Sequence, residues 1–241
     1  MEAIGGKTTL AEDVYDRIRW DIVLGRLQPG NVLRSDWMRE QYQVGISPLR
    51  EALTRLTSER LIIAESQRGF RVAPLSAIEV KDVLETRLLI ETRALRQSIA
   101  AGSVEWEGKV LSAYHILSRK KIPQPGDDDI LEWFRDHKRF HMDLLSASHS
   151  AWLRHLSGLL FDQSERFRIV RMLNVAEPTL RRDVDKEHKR IVDACLARDP
   201  DEACRALVDH YTATADAVLA NLAKGEAADR ENDEGRDRSW S

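Results

Sequence analysis

The chain lacks any apolar run approaching the ~20 residues that a helix needs to cross a bilayer. A helical membrane protein is therefore excluded from the expectations. Its opening, MEAIGGKTTL, has neither the charged nor the apolar region of a secretory signal, which predicts a cytoplasmic protein with no membrane partner. Its two cysteines, Cys195 and Cys204, are too few for a disulfide framework. Both fall inside helical patterns and read as buried thiols of a reducing compartment. Nor is there an excess of charge of one sign: 37 Lys and Arg face 40 Asp and Glu, for a net charge of -3. Residues 1–75 hold eleven basic against ten acidic side chains. Nucleic-acid binding must therefore be argued from where arginines sit rather than from their number. Aromatics make up only 6% of residues, and Trp20, Trp37, Trp106, Trp133, Trp152 and Trp240 follow no spacing that would build an aromatic cage. They are expected in the core or at interfaces, with Trp240 in the tail. There is no internal repeat.

What the chain has is helical periodicity. Leu10, Val14, Ile18, Ile22 and Val23 share a helix face, and Thr9 with Glu12 has the spacing of a capping box. Gly25, Pro29 and Gly30, in LGRLQPGNVL, stop that helix. A short helix around Asp36–Tyr42 follows. A third lies in GISPLREALTRLTSERLI, where Ser47 is suited to cap, Pro48 to occupy the first helical position, and Leu49, Leu53 and Leu56 to face a core. LIIAESQRGFRVAP then switches to short β-prone runs about Gly69, a small hairpin. Three helices and a hairpin describe a winged helix-turn-helix over residues 1–75. Pro74–Ala77 reads as a linker, and Ser76 with Glu79 restarts a helix. Breaks at 102–103, 123–126, 149–150, 174–178 and 199–200 leave six helices between 77 and 223 and no strand candidate. The expected fold is mainly α: the winged helix-turn-helix, then an all-α antiparallel bundle over 76–223. The charged stretch 224–241 is expected to be a disordered tail.

In a helix-turn-helix the second helix enters the major groove, and its first residues reach bases and phosphates. Ser47 and the amides of that first turn suit a phosphate, and Arg50 suits a phosphate or a guanine edge. Arg68 and Gly69, at the hairpin tip, suit the backbone or the minor groove. Arg34 belongs to the same candidate set. Taken alone, Arg50 reads more simply as a surface ion pair with Glu51 or Asp36; the whole run of cap, proline, arginine and wing tip favours DNA.

Side chains four apart on a helix are offset by about 40°. His137 and His141, in RDHKRFHMDLL, can therefore aim at one point. His188 and His210 have apolar neighbours at helical spacing that turn them toward the bundle interior. Four imidazoles from three helices suit a borderline divalent ion, zinc or nickel. The alternative is chance: in a chain with seven histidines, a pair one turn apart also occurs on a solvated face.

Two stretches carry a resemblance. LGRLQPGNVLRSDWMREQYQVGISPLREALTRLTSERLI with RGFRV resembles the DNA-binding domain of GntR-type bacterial transcription regulators. There are two departures: Gly45-Ile46-Ser47 stands where that family has Ser-Arg-Thr, and Arg60 where it has glycine. VLETRLLIETRAL, HKRFHMDLLSASH and HKRIVDACLARDPDEACRALVDH resemble the helical ligand-binding (FCD) domain of the FadR subfamily. The resemblance implies metal ligands at His141, His188 and His210, with His137 in the place of an aspartate. It also implies that Arg87, otherwise an i,i+4 partner of Glu91, holds an effector carboxylate beside the metal. His149 replaces an asparagine and either lines the cavity or caps. The implied protein is a homodimeric repressor that binds a double-stranded DNA operator and responds to a small carboxylate. Two rivals stand beside it: a metal-dependent hydrolase using the histidine cluster, and a regulator whose metal is purely structural.

Overall fold

The computed structural model describes residues 9–65, 69–124, 127–174 and 183–237, with 169–174 and 225–237 described as backbone. The chain divides into two compact units, residues 1–75 and 76–241.

In the first unit, α1 (Leu10–Val23) starts at a complete capping box: Thr9 Oγ1 accepts from Glu12 N at 3.1 Å, and Thr9 N donates to Glu12 Oε2 at 2.8 Å. Then come β1 (Val32–Leu33), α2 (Ser35–Tyr42), α3 (Ile46–Ser58), β2 (Ile62–Glu65) and β3 (Gly69–Val72). The sheet is antiparallel in the order β1-β3-β2, with Arg71 opposite Ile63 on one side and Val32 on the other. Only the hairpin β2–β3 is expected from sequence; a two-residue strand is too short to show alternation. β1 is recruited by the Pro29–Gly30 turn. There Gly30, at φ 82°, donates to Val72 O at 3.0 Å, and Arg71 Nη1 donates to Gly30 O at 2.6 Å.

The expected cap of α3 needs correction. The helix begins at Ile46 with Gly45 as N-cap and no side-chain cap bond, so Ser47 lies in the first turn rather than before it. Pro48 sits in the same turn, where a missing N–H costs nothing. Val14, Ile18, Ile22, Leu33, Met38, Leu49, Leu53 and Leu56 are all buried and close the core between helices and sheet. The helix α3 ends in a Schellman motif: Leu61 N reaches Leu56 O and Arg60 N reaches Thr57 O, both at 3.0 Å. Arg60, in the place of a glycine, has a left-handed φ of 59°.

The second unit holds α4 (Ala77–Ala101), α5 (Val104–Ser118), α6 (Ile130–Leu144), α7 (Ala151–Asn174), α8 (Val184–Leu196) and α9 (Pro200–Asp237), with no strand among the described residues. Ser76 Oγ caps α4 by accepting from Glu79 N, and Asp199 Oδ1 caps α9 by accepting from Glu202 N. The helix α4 packs on α7 and α9, α8 on α9 and α5, and α5 on α6. Within the stretch expected to be a tail, α9 runs on through 224 to Asp237, and residues 238–241 lie outside the described residues. Extending a helix that is already nucleated needs only one bond per residue, and the Ala, Glu and Arg of this stretch are good helix formers. Among the described residues, no helix is long and apolar enough to cross a membrane.

Candidate metal centre and DNA-binding surface

On the first unit, the helix-turn-helix α2–α3 leaves Arg34, Ser47 and Arg50 exposed, and Gly69 is exposed at the start of β3. Arg68 lies outside the described residues. Gly69 has φ 89°, a conformation that side-chain-bearing residues rarely adopt. The ion pair that competes with the DNA reading of Arg50 is not made. No bond of its side chain is found among the described residues, and Asp36 lies 3.9 Å from Arg39 instead.

In the second unit, α6 turns Trp133, Phe134, His137, Phe140, His141 and Leu144 inward at helical spacing. The same periodicity on α8 buries His188 with Ile191, Val192 and Cys195, and on α9 it buries His210 with Leu207 and Tyr211. One ring nitrogen from each of His137, His141, His188 and His210 lies within 4.8 Å of all the others. A tetrahedral ion with bonds of about 2.0–2.1 Å to nitrogen asks for nitrogens roughly 3.4 Å apart. Small inward ring movements would satisfy it.

Outer partners orient these rings. His210 Nδ1 is 2.8 Å from Glu187 Oε2, and His137 Nδ1 is 3.3 Å from Glu165 Oε2. His141 Nδ1 is 3.1 Å from Tyr211 Oη, which also lies 2.7 Å from Glu91 Oε2. A carboxylate only accepts, so the Nδ1 of His210 carries a proton. Tyr211 has one proton and gives it to Glu91, so its oxygen accepts from His141 Nδ1. The Nε2 of His141 is then left with its lone pair, 3.1 Å from His137 Nε2. Burial holds both imidazoles well below their usual pKa. Arg168 and Arg87 add to this at His137; the other three histidines and Arg87 add to it at His141. Neutral, oriented imidazoles are the form that binds a metal. Arg168 Nη1, 3.2 Å from His137 Nε2, is a second cation at the cluster.

A cavity rises from this cluster between α4, α7 and α9, with Arg87, Ser164 and Tyr211 beside the histidines and Val80, Val83 and Val218 further along. Its empty volume is about 450 Å³ with the open end included. Arg87 forks onto Glu91 at 2.7 and 3.4 Å, the i,i+4 pairing expected of it, and also lines the cavity, where Nη1 donates to Ser164 Oγ at 2.6 Å. Burial opposes its charge, yet Glu91 and Tyr211 raise its pKa. His149 is corrected: it is exposed in the turn between α6 and α7 and is not part of the cavity wall. Ser148 is the buried polar residue of that turn.

Sequence reasoning missed Glu165, Arg168 and Glu187, and took Tyr211 for a packing residue. Glu187 precedes His188, so its place on the outer side of His210 depends on how α8 crosses α9, which no local spacing encodes. Glu165 and Arg168 lie on α7 among polar residues, where only their burial is unusual.

Residues 10–72 match the family described as bacterial regulatory proteins, gntR family, and residues 82–213 match the FCD domain. The HTH-type transcriptional regulator BphR of Paraburkholderia xenovorans (strain LB400) is 35% identical over 217 residues, covering 89% of this chain and 87% of that protein. The HTH-type transcriptional repressor GlaR of Escherichia coli (strain K12) is 32% identical over 204 residues, covering 84% and 93%. Among solved structures, E. coli McbR/YncC shares the fold at a TM-score of 0.74 and 18% identity, over 90% of this chain and 99% of that one. These relatives regulate transcription, which removes the hydrolase alternative. The chain belongs to the gntR family of bacterial regulatory proteins, with an FCD domain behind its winged helix, and is a DNA-binding transcription regulator, not an enzyme.

Proposed function

We propose that the chain is a repressor whose helical unit holds one divalent ion, zinc or nickel, on His137, His141, His188 and His210. In this reading the ion and Arg87 together bind the carboxylate of a small organic acid in the cavity above it. The observation that carries the reading is the convergence of four buried ring nitrogens within 4.8 Å, with two of the rings, His210 and His141, held by an acid and a phenol on their far sides. When bound, the ion supplies a Lewis-acidic centre for a carboxylate oxygen. Arg87 supplies charge-assisted hydrogen bonds to the same group, and the valines toward the mouth take the rest of the molecule.

The protein acts in the cytoplasm as a homodimer, its two winged helices reading the half-sites of a near-palindromic operator. Arg34, Ser47, Arg50 and Gly69, with Arg68 beside it, make the contacts. A ligand shifts only an equilibrium whose two states it contacts differently. Arg87 lies on α4, which begins directly after the boundary at residue 75, so displacement of Arg87 acts on the helix that follows the linker. Repression relieved by the acid agrees with the repressor role in the name of GlaR.

Elemental analysis of chain purified without added metal tests the centre. The expected result is one zinc or nickel per chain, and none after His141→Ala with His188→Ala. Stoichiometric metal in that double variant would refute the site. The pairing of Arg87 with Glu91 favours a second reading, a structural ion with no effector. A melting temperature unmoved by a panel of carboxylic acids, with metal present, would select it.

A further inference from the structure

Four groups form a continuous chain across the floor of the bundle. The Arg87 guanidinium forks onto Glu91 and lies 3.9 Å from the centre of the Tyr211 ring. Tyr211 Oη donates to Glu91 Oε2 at 2.7 Å and accepts from His141 Nδ1 at 3.1 Å. All four side chains are buried. His210 and His137, by contrast, face Glu187 and Glu165 directly. His141 reaches its carboxylate through the hydroxyl of Tyr211, whose ring lies under the guanidinium.

We propose that Tyr211 is a positioning residue that joins the ligand histidine His141 to the Arg87–Glu91 pair, so that the anion site and the metal site each sense the other's occupancy. The inference rests on the metal reading above. In the pair as it stands, the charge of Glu91 is shared between the guanidinium and the phenol. When Arg87 turns to an incoming carboxylate, Tyr211 is left as the donor to Glu91. That bond strengthens and polarises the hydroxyl. Oη becomes a better acceptor for the His141 N–H, and His141 Nε2 a better donor to the ion. An anion on Arg87 therefore tightens metal binding, and by linkage metal tightens the anion by the same factor.

The test uses the full chain and Co²⁺ alone as probe, followed by its visible spectrum and by proton NMR of the paramagnetic form. Tyr211→Phe keeps the ring and removes the link. It is expected to weaken Co²⁺ binding about 10- to 100-fold, the usual effect of losing an outer partner. It should also release the His141 N–H to solvent exchange while that of His210 persists. Arg87→Lys keeps the charge but loses the fork. It is expected to tighten Co²⁺ by about fivefold or more in the otherwise unaltered chain and to change nothing in the Tyr211→Phe background. Unchanged affinity and an unchanged N–H signal in Tyr211→Phe overturn the proposal. So does an equal Arg87→Lys effect in both backgrounds, because direct charge acts without the hydroxyl. If the unaltered chain takes up no Co²⁺, the metal reading fails and this inference with it. Uptake with Tyr211→Phe unaffected sinks the inference alone.

Discussion

In the N-terminal unit the buried hydrophobic cluster is made of aliphatic side chains with Met38, Tyr15 and Tyr42, Arg19 is the one charged residue buried among the described residues of that unit, and those suited to DNA stand exposed at the start of α2, on α3 and on β3. In the C-terminal unit Arg87, Glu91, Glu165, Arg166, Arg168 and four histidines are buried. One unit keeps its chemistry outside a plain core; the other builds its core partly out of chemistry. Buried charges carry a desolvation penalty that good geometry only roughly offsets. The first core is therefore organised for stability, whereas the second gives some stability up for a site.

The sharpest break of this contrast is at Arg87 and Glu91. Glu91→Leu alone leaves a guanidinium buried without its counter-charge and is expected to cost about 3–5 kcal/mol. Adding Arg87→Met should recover that loss and can exceed the original stability by about 1–4 kcal/mol, while any response to carboxylic acids disappears. Urea unfolding followed by circular dichroism measures both. If Glu91→Leu proves harmless, the pair is not a charged element of the core and the contrast between the units fails.

The same contrast governs what could be read from the sequence. In the N-terminal unit each local rule agrees with the fold: the Thr9–Glu12 capping box, the Pro29–Gly30 turn, and the leucines of α3. What failed there was short-range detail. β1 is two residues long, and the cap of α3 falls at Gly45 because Ser47 and Pro48 are both accommodated inside the first turn. In the C-terminal unit the histidines were legible because a pair four apart shares a helix face, and because apolar neighbours at helical spacing, and then the resemblance, picked out the other two. Their orienting partners were not. Whether Glu187, Glu165 or Tyr211 meets a given ring depends on how helices distant in sequence cross. A buried glutamate reads the same as an exposed one until packing is known.

A smaller effect sharpens the exposed half of the comparison. Arg50→Ala should lower affinity for duplex DNA about tenfold or more, as expected for the loss of one good base or phosphate contact. It should leave the circular dichroism and melting of the chain unchanged, because the side chain is exposed and makes no bond among the described residues. Fluorescence anisotropy at several salt concentrations, on a duplex selected from a random pool by the unaltered protein, is the measurement. A phosphate contact also lowers the salt slope by about one. Undiminished affinity would remove Arg50 from the interface.

The smallest effect asks whether the plain core is also free of backbone strain. Three helices end on a non-glycine residue with positive φ: Gln43 at 54°, Arg60 at 59° and Arg198 at 55°. Arg198 has a use for its side chain, which donates to Ile99 O at 2.6 Å and to Glu107. The Arg60 side chain makes no such bond among the described residues, so at this position the left-handed backbone is uncompensated. A residue with a Cβ carries a penalty there of roughly 1–2 kcal/mol, partly cancelled by the greater freedom that glycine has in the unfolded chain. Arg60→Gly is therefore expected to stabilise the chain by up to about 1 kcal/mol, seen as a raised urea midpoint. Arg60→Ala should give no gain, which separates loss of the arginine from relief of the backbone. Arg198→Gly, which relieves the same backbone but removes the bonds to Ile99 and Glu107, should lower stability. Equal behaviour of the glycine variants at 60 and 198 would mean that the side-chain bonds of Arg198 do not compensate its backbone strain.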